Sequence, residues 1–184
     1  MFIFENQTVI MKKIALLLAL IASSTSYAQT LINKKDDFTG KLIKGATVNF
    51  VAANNVNFME SLTFMQNDDK VLVGLLMNMP SGEFGAYQGL DVNNMSILIK
   101  MPSDSIIRFN PDGNSKIVNS GSSSMLLISS EITPAQLNYF ANNQIAALRL
   151  ALRKDDFGID LTVKDKQKKQ IQKAAAFMVS EEKN

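Results

Sequence analysis

The stretch that decides the fold is Met95-Ser96-Ile97-Leu98-Ile99-Lys100-Met101, then Pro102-Ser103-Asp104, then Ser105-Ile106-Ile107-Arg108-Phe109. Met95, Ile97, Ile99 and Met101 alternate with Ser96, Leu98 and Lys100, the period of two that lines one face of a strand. Pro102-Ser103-Asp104 turns the chain, and the second run returns, so the unit reads as an antiparallel hairpin. Working outward, Asn110-Pro111-Asp112-Gly113 is a second turn, with Pro setting φ and Gly free to take the left-handed geometry that closes it. Strands near 116–118 and 125–129 follow, separated by the small polar run 119–123.

Towards the amino terminus, a polar lead from Gln29 to Asp37 gives way to short Phe-, Val-, Ile-, Thr- and Leu-rich segments near 38–43, 47–52, 57–66 and 70–77, read as strands. Asn67-Asp68-Asp69-Lys70 joins two of them as a hairpin. Val71-Leu72-Val73-Gly74-Leu75-Leu76-Met77 is apolar throughout and reads as a central strand buried on both faces, with Gly74 marking a bulge or a close neighbour. Residues 78–94 form the longest irregular stretch, broken by Pro80, Gly82, Gly85 and Gly89.

Towards the carboxyl terminus, Thr133-Pro134 starts a helix, the hydroxyl capping the first amides and Pro standing where its missing N–H is harmless. That helix is expected to end near Asn142-Asn143 in the left-handed conformation. Ala146, Leu148, Leu150 and Leu152 alternate with Arg149 and Arg153; the segment 144–153 has helix-forming residues but reads as a strand, because Ile159, Leu161 and Val163 alternate after the turn 154–158 and would pair with it. Ile171, Ala174, Ala175 and Met178 fall on one face of a C-terminal helix. The expected fold is α+β: mainly antiparallel sheet, as a sandwich or a curved sheet, with one short helix and a C-terminal helix.

The first 28 residues read differently. Met11-Lys12-Lys13 is a short basic start, Ile14 to Ala22 an apolar run, and Ser26-Tyr27-Ala28 a small-x-small end, the order of a secretory signal peptide cut before Gln29. The apolar run is nine residues, against the roughly 18 needed to span a bilayer, so a transmembrane anchor is not expected. Residues 1–10 fit no part of a signal, and Met11 is the more natural start. The expected mature unit is one domain, 29–184, with a polar C-terminal tail, working in the periplasm or outside the cell.

Composition then narrows the chemistry. Removing Lys12, Lys13 and Glu5 leaves 17 basic and 16 acidic side chains, which is not the basic face that nucleic acid requires. The chain has no cysteine and no histidine. Packing alone must hold it together, which a 46% hydrophobic composition permits. Ser-His-Asp and Cys-His machinery are excluded, as is an ordinary zinc site, and no cofactor is expected.

Several residues still carry candidate chemistry. Met77-Asn78-Met79 brings two thioethers close together, the soft ligands that select copper(I), although methionines at strand and helix positions are ordinary core filler. Asp36-Asp37, Asp68-Asp69 and Asp155-Asp156 offer carboxylates for a glycosidase-type hydrolase, but each pair sits beside a turn, where Asp is favoured for local hydrogen bonding. Ser180-Glu181-Glu182-Lys183 matches a Ser-x-x-Lys spacing in a polar chain end. Lys164, Lys166, Lys168, Lys169 and Lys173 crowd the last helix, where a solvated face is the ordinary reading and an anionic surface the other. Phe84, Tyr87 and Leu90, in the irregular stretch 78–94, are the expected ligand contacts, because long aromatic loops on a rigid sheet carry recognition.

The runs Ile132-Thr133-Pro134-Ala135-Gln136-Leu137, Ile145-Ala146-Ala147-Leu148-Arg149-Leu150 and Ile159-Asp160-Leu161, with the Lys-rich closing helix and a leader ending Tyr27-Ala28-Gln29, resemble small exported proteins of unknown function from Bacteroidota-type bacteria. The resemblance covers about the last third of the chain and implies an exported address and an α+β arrangement, with no activity. The expectation is a non-enzymatic binding or interaction module of the cell envelope, for an envelope component, a protein or a small ligand. A carboxylate-based hydrolase is the alternative, and a Met-rich copper-binding protein a third reading.

Overall fold

Ten strands and two α-helices appear in the computed structural model, which describes residues 29–37, 40–51, 59–80, 91–120, 123–153 and 158–180. The strands are β1 (Gln29–Lys35), β2 (Leu42–Val51), β3 (Met59–Asn67), β4 (Lys70–Pro80), β5 (Ser96–Lys100), β6 (Ile106–Phe109), β7 (Lys116–Ser120), β8 (Ser123–Ile132), β9 (Ala147–Ala151) and β10 (Gly158–Leu161). The helices are α1 (Pro134–Asn142) and α2 (Asp165–Val179), and a short 3-10 turn covers Val92–Asn94. A six-stranded sheet runs β1-β2-β3-β4-β8-β7 and a four-stranded sheet runs β10-β9-β5-β6, every pairing antiparallel. The α+β expectation holds.

One face of the six-stranded sheet carries Ala46, Val48 and Phe50 of β2, Leu62 and Phe64 of β3, Val73, Leu75 and Met77 of β4, and Leu126 and Ile128 of β8, all buried and in register across the strands. They share one core with Ile97, Ile99, Phe109, Leu148 and Leu150 of the smaller sheet and with Phe140, Ile171, Ala174 and Ala175 of the helices. Each fully buried Phe or Leu contributes roughly 1.5–3 kcal/mol relative to exposure. The predicted helical stripe Ile171, Ala174, Ala175, Met178 is buried as expected. α2 packs on α1 and on β2, and Gln167 ties its first turn to the sheet by donating from Nε2 to the Asn49 carbonyl oxygen, 3.2 Å away.

The opening hairpin is as read: β5 and β6 pair, Met101 N–H donates to the Ser105 carbonyl at 2.9 Å, and Asp104 turns the corner at φ +61°. Asp68, at φ +55°, turns β3 into β4, with Asn67 and Lys70 in register. α1 starts at a capping box: Gln136 N–H donates to Thr133 Oγ1 (3.2 Å) and Thr133 N–H to Gln136 Oε1 (2.9 Å). The segment 144–153, read as a strand, contains strand β9, held between β10 and β5.

Other readings are corrected. The polar lead, to which the sequence reading assigns no strand, holds one: Gln29–Lys35 pairs along its whole length with β2 and is the edge of the larger sheet. The two short strands expected at 38–43 and 47–52 are one strand, Leu42–Val51, preceded by a turn in which Gly40 adopts φ +67°. β4 continues to Pro80 and so takes the start of the stretch expected to be irregular. Gly74 marks no bulge, since the register with Thr63 and Ser129 runs straight through it, and a Cβ there would meet only ordinary contacts at 3.7 Å and beyond.

The turn expected at 110–113 closes later: Ser115 N–H donates to the Asp112 carbonyl at 3.0 Å, and Asp112 Oδ1 accepts from Asn114 N–H at 2.8 Å. Among the described glycines only Gly40 has positive φ, so Gly113 does not supply the left-handed geometry. Nor does Asn143 end α1 in that conformation; it is extended at φ −132°, and its side-chain amide donates to the Tyr139 carbonyl at 2.9 Å. The opposite face of β2 and β3 is polar and buried, carrying Thr47, Asn49, Ser61 and Thr63. Thr47 and Thr63 face each other across the strands with their hydroxyls 3.0 Å apart, which satisfies both.

Candidate functional site

Candidate sites lie in two recesses formed by described residues. The first is built where the chain enters β5. Asp91 gathers the entry, its Oδ1 accepting from Asn93 N–H (2.9 Å) and Asn93 Nδ2 (2.8 Å) and its Oδ2 from Asn94 Nδ2 (3.3 Å). Met95 then drops into the core, which fixes the turn against the smaller sheet. Because side chains alternate along β5, Ser96 and Leu98, both buried, lie on the face opposite Ile97 and Ile99, a face that Arg108 shares as the register partner of Leu98 on β6.

On that face a short relay forms. Arg108 Nη1 donates to Ser96 Oγ at 3.1 Å, and Ser96 Oγ donates to Asn110 Oδ1 at 3.2 Å. The recess around it has a volume of about 510 Å³ and is lined by Asn93, Asn94, Met95, Ser96, Arg108, Asn110 and Pro111. A guanidinium, three carboxamides and a hydroxyl make this lining rich in hydrogen-bond donors, with no carboxylate among the described residues that line it. Such a set recognises oxygen-bearing ligands, the guanidinium favouring a carboxylate through paired N–H donors. Among the described residues that line it there is no nucleophile paired with a base.

The second recess, about 270 Å³, lies where the β3–β4 turn, the end of β8, the start of α1 and the end of α2 meet. Val71, Ile132, Leu137 and Val179 floor it, and Asp69, Lys70 and Glu131 stand at its rim. Two carboxylates from different segments thus border one concavity, the arrangement a hydrolase would need. Glu131, however, accepts from the Lys70 ammonium at 2.6 Å, and both partners are more than half exposed.

The carboxyl that burial pushes above its ordinary range is elsewhere. Glu60 is 4% exposed on the core face of β3, in register with Phe50 on one side and Met77 on the other, and its Oε2 accepts no hydrogen bond. It borders neither recess.

Of the residues singled out from the sequence, Phe84, Tyr87 and Leu90 lie outside the described residues, while Asn93 and Asn94, which end the stretch 78–94, line the first recess. Met77 is core, 2% exposed between Glu60 and Leu126. Met79 lies two residues further along β4, opposite Ser124. Asp36 and Asp37 sit in the β1–β2 turn and Asp68 and Asp69 in the β3–β4 turn, while Asp155 and Asp156 lie outside the described residues. Ser180 closes α2, its hydroxyl donating to the Phe177 carbonyl at 2.7 Å. Lys166, Lys169 and Lys173 are exposed on α2, and Lys168 pairs with Asp165 at 3.4 Å.

Sequence reading missed Arg108, Ser96 and Asn110, because an Arg on a strand followed by an Asn-Pro turn carries no motif. Among the described residues no helix is long and apolar enough to cross a membrane. Comparison with protein-family models, with curated proteins and with solved structures finds no match for this chain.

Proposed function

We propose that this protein is a non-enzymatic binding module that acts outside the cytoplasm once its leader is cut before Gln29, and that it holds a carboxylate-bearing, hydroxyl-rich envelope ligand in the recess of Arg108. The observation that carries the reading is the Arg108–Ser96–Asn110 relay inside a recess whose described lining offers three carboxamides beside the guanidinium. Arg108 engages the ligand's carboxylate, and Asn93, Asn94 and Asn110 bond its hydroxyls.

Native mass spectrometry of the exported protein from its own host tests the proposal, paired with titration by oligogalacturonate as an acidic-sugar probe. A retained acidic carbohydrate in the wild type, absent from a folded Arg108→Gln variant, is the expected result. Failure of the wild type both to carry such a mass and to bind the probe would overturn it. The second reading, a carboxylate-based hydrolase, is favoured by Asp69 and Glu131 sharing one recess. It gains ground if the protein shows hydrolytic turnover that folded Asp69→Asn and Glu131→Gln variants lose.

A further inference from the structure

The turn ahead of β5 fixes which end of two amides the first recess meets. Asn93 Nδ2 donates to Asp91 Oδ1 at 2.8 Å and Asn94 Nδ2 to Asp91 Oδ2 at 3.3 Å. A carboxylate only accepts, so neither amide can reverse without setting oxygen against oxygen. Asn93 and Asn94 line the recess and Asp91 does not, so the amide nitrogens are held towards the turn and the carbonyl oxygens are left for whatever fills the recess. From β6 and the turn after it the opposite end is offered. Buried Ser96 has one hydroxyl proton and, while accepting from Arg108 Nη1 at 3.1 Å, gives it to Asn110 Oδ1 at 3.2 Å. With its oxygen taken, Asn110 offers amide N–H groups beside the guanidinium.

We infer, on the footing that this recess holds a carboxylate-bearing, hydroxyl-rich ligand, that it selects acidic sugars whose hydroxyls are free and refuses their O-acetylated forms. Arg108 and Asn110 take the groups that accept, the carboxylate and a ring or hydroxyl oxygen. Asn93 and Asn94 then need groups that donate, and in an acidic sugar those are the hydroxyls. Acetylation replaces each O–H by an ester whose oxygens only accept. Placed against Asn93 and Asn94, such an ester sets acceptor against acceptor and takes their carbonyl oxygens out of water with no bond in return, the costly case for a polar group.

Asp91 is then a positioning residue: it acts on the ligand only through the two amides it orients. A site built to bond a hydroxyl rejects the analogue that lacks it because the site's own polar groups are left unpaired. Asp91→Asn separates this polarity from shape, since the two side chains are the same size. The oxygen of the new amide keeps the main-chain N–H of Asn93 capped, which Asp91 Oδ1 accepts at 2.9 Å, and the new NH₂ stands where Oδ2 meets Asn94. Donor then faces donor, so the Asn94 amide reverses and turns its own NH₂ towards the recess.

The exported protein is titrated by calorimetry with oligogalacturonate and with the same oligomer O-acetylated on its ring hydroxyls. The wild type is expected to bind the unmodified probe at least about tenfold more tightly, and Asp91→Asn to narrow the gap to less than about threefold by gaining affinity for the acetylated one. Asn94→Ala, which removes one acceptor outright, should narrow it by losing affinity for the unmodified probe. Equal affinities of the wild type for the two probes overturn the selection while leaving the acidic-sugar site in place. A gap of full size in both folded variants assigns the selection to shape and overturns the role given to the fixed amides. If the wild type binds neither probe and carries no acidic carbohydrate from its host, the site itself falls, and the selection with it.

Discussion

The ammonium of Lys44 on β2 donates to the main-chain carbonyl oxygen of Met178, 3.3 Å away, in the last turn of α2, and reaches the Ser180 carbonyl as well. α2 has no basic residue in its own last turn, so a strand 134 residues earlier supplies the cation that its unpaired carbonyls and dipole end require. Lys44 is 5% exposed, and the Phe177 ring lies 5.3 Å from its nitrogen. Lys44→Met keeps the stem and removes the donors. The expected loss is about 2 kcal/mol, the scale of a buried hydrogen bond to a charged group, with faster amide exchange confined to the end of α2.

Glu60 sets the direction of one pH effect. Burial raises its folded-state pKa above the value in the unfolded chain, so the fold favours the neutral acid. Stability from this group is therefore complete below the unfolded value, falls as pH rises through the folded value, and is level above it. Glu60→Gln should raise Tm at neutral pH, with the gain shrinking towards zero near about pH 4, where both states of the wild type hold the proton. Equal Tm values for the two proteins at neutral pH would contradict the burial cost.

Gly158 opens β10 where the backbone of β9 is closest. A Cβ there would lie 2.0 Å from the Leu150 carbonyl oxygen and 2.7 Å from the Ala151 Cα, backbone atoms that cannot swing aside. Gly158→Ala should cost about 1–3 kcal/mol or more, the range for forcing atoms into a packed site. Gly74→Ala serves as its control, since the added methyl meets only ordinary contacts. Chemical denaturation midpoints read both.

Arg149 and Asp160 face each other across β9 and β10 and form a two-pronged pair at 2.6 and 3.0 Å. The hydrogen bond from Arg149 holds the Asp160 carboxyl below its ordinary pKa. That stability is present above the unfolded value and is lost as pH falls through the folded one. Because Asp160 is 74% exposed, Asp160→Asn should cost less than about 1 kcal/mol at neutral pH, and added salt should narrow the difference.

Strand content was legible wherever local pattern and tertiary burial agree. The alternation of Met95 to Met101, the capping residues Thr133 and Gln136, and the stripe Ile171 to Met178 each state their buried face within a few residues of chain. The polar lead was misread because Asn33, Lys34 and Lys35 are exposed on an edge strand, where pairing with β2 and not burial makes the strand. Gly113 and Asn143 were misread because their neighbours close the turn with side-chain and backbone hydrogen bonds that make positive φ unnecessary.

The candidate site was the least legible part. Arg108, Ser96 and Asn110 come together only because β5 and β6 pair in one register and the Asn-Pro turn folds back over the strand. The residue types alone determined that this protein has no thiol or imidazole chemistry, and the periodicities determined that it builds antiparallel strands and two helices. Which strands become neighbours, that Glu60 and Lys44 are buried, and where a recess opens were decided by the tertiary structure. Periodicity is a property of adjacent residues, whereas a pocket, a buried charge and its partner are set by chain segments that meet only once the core has formed.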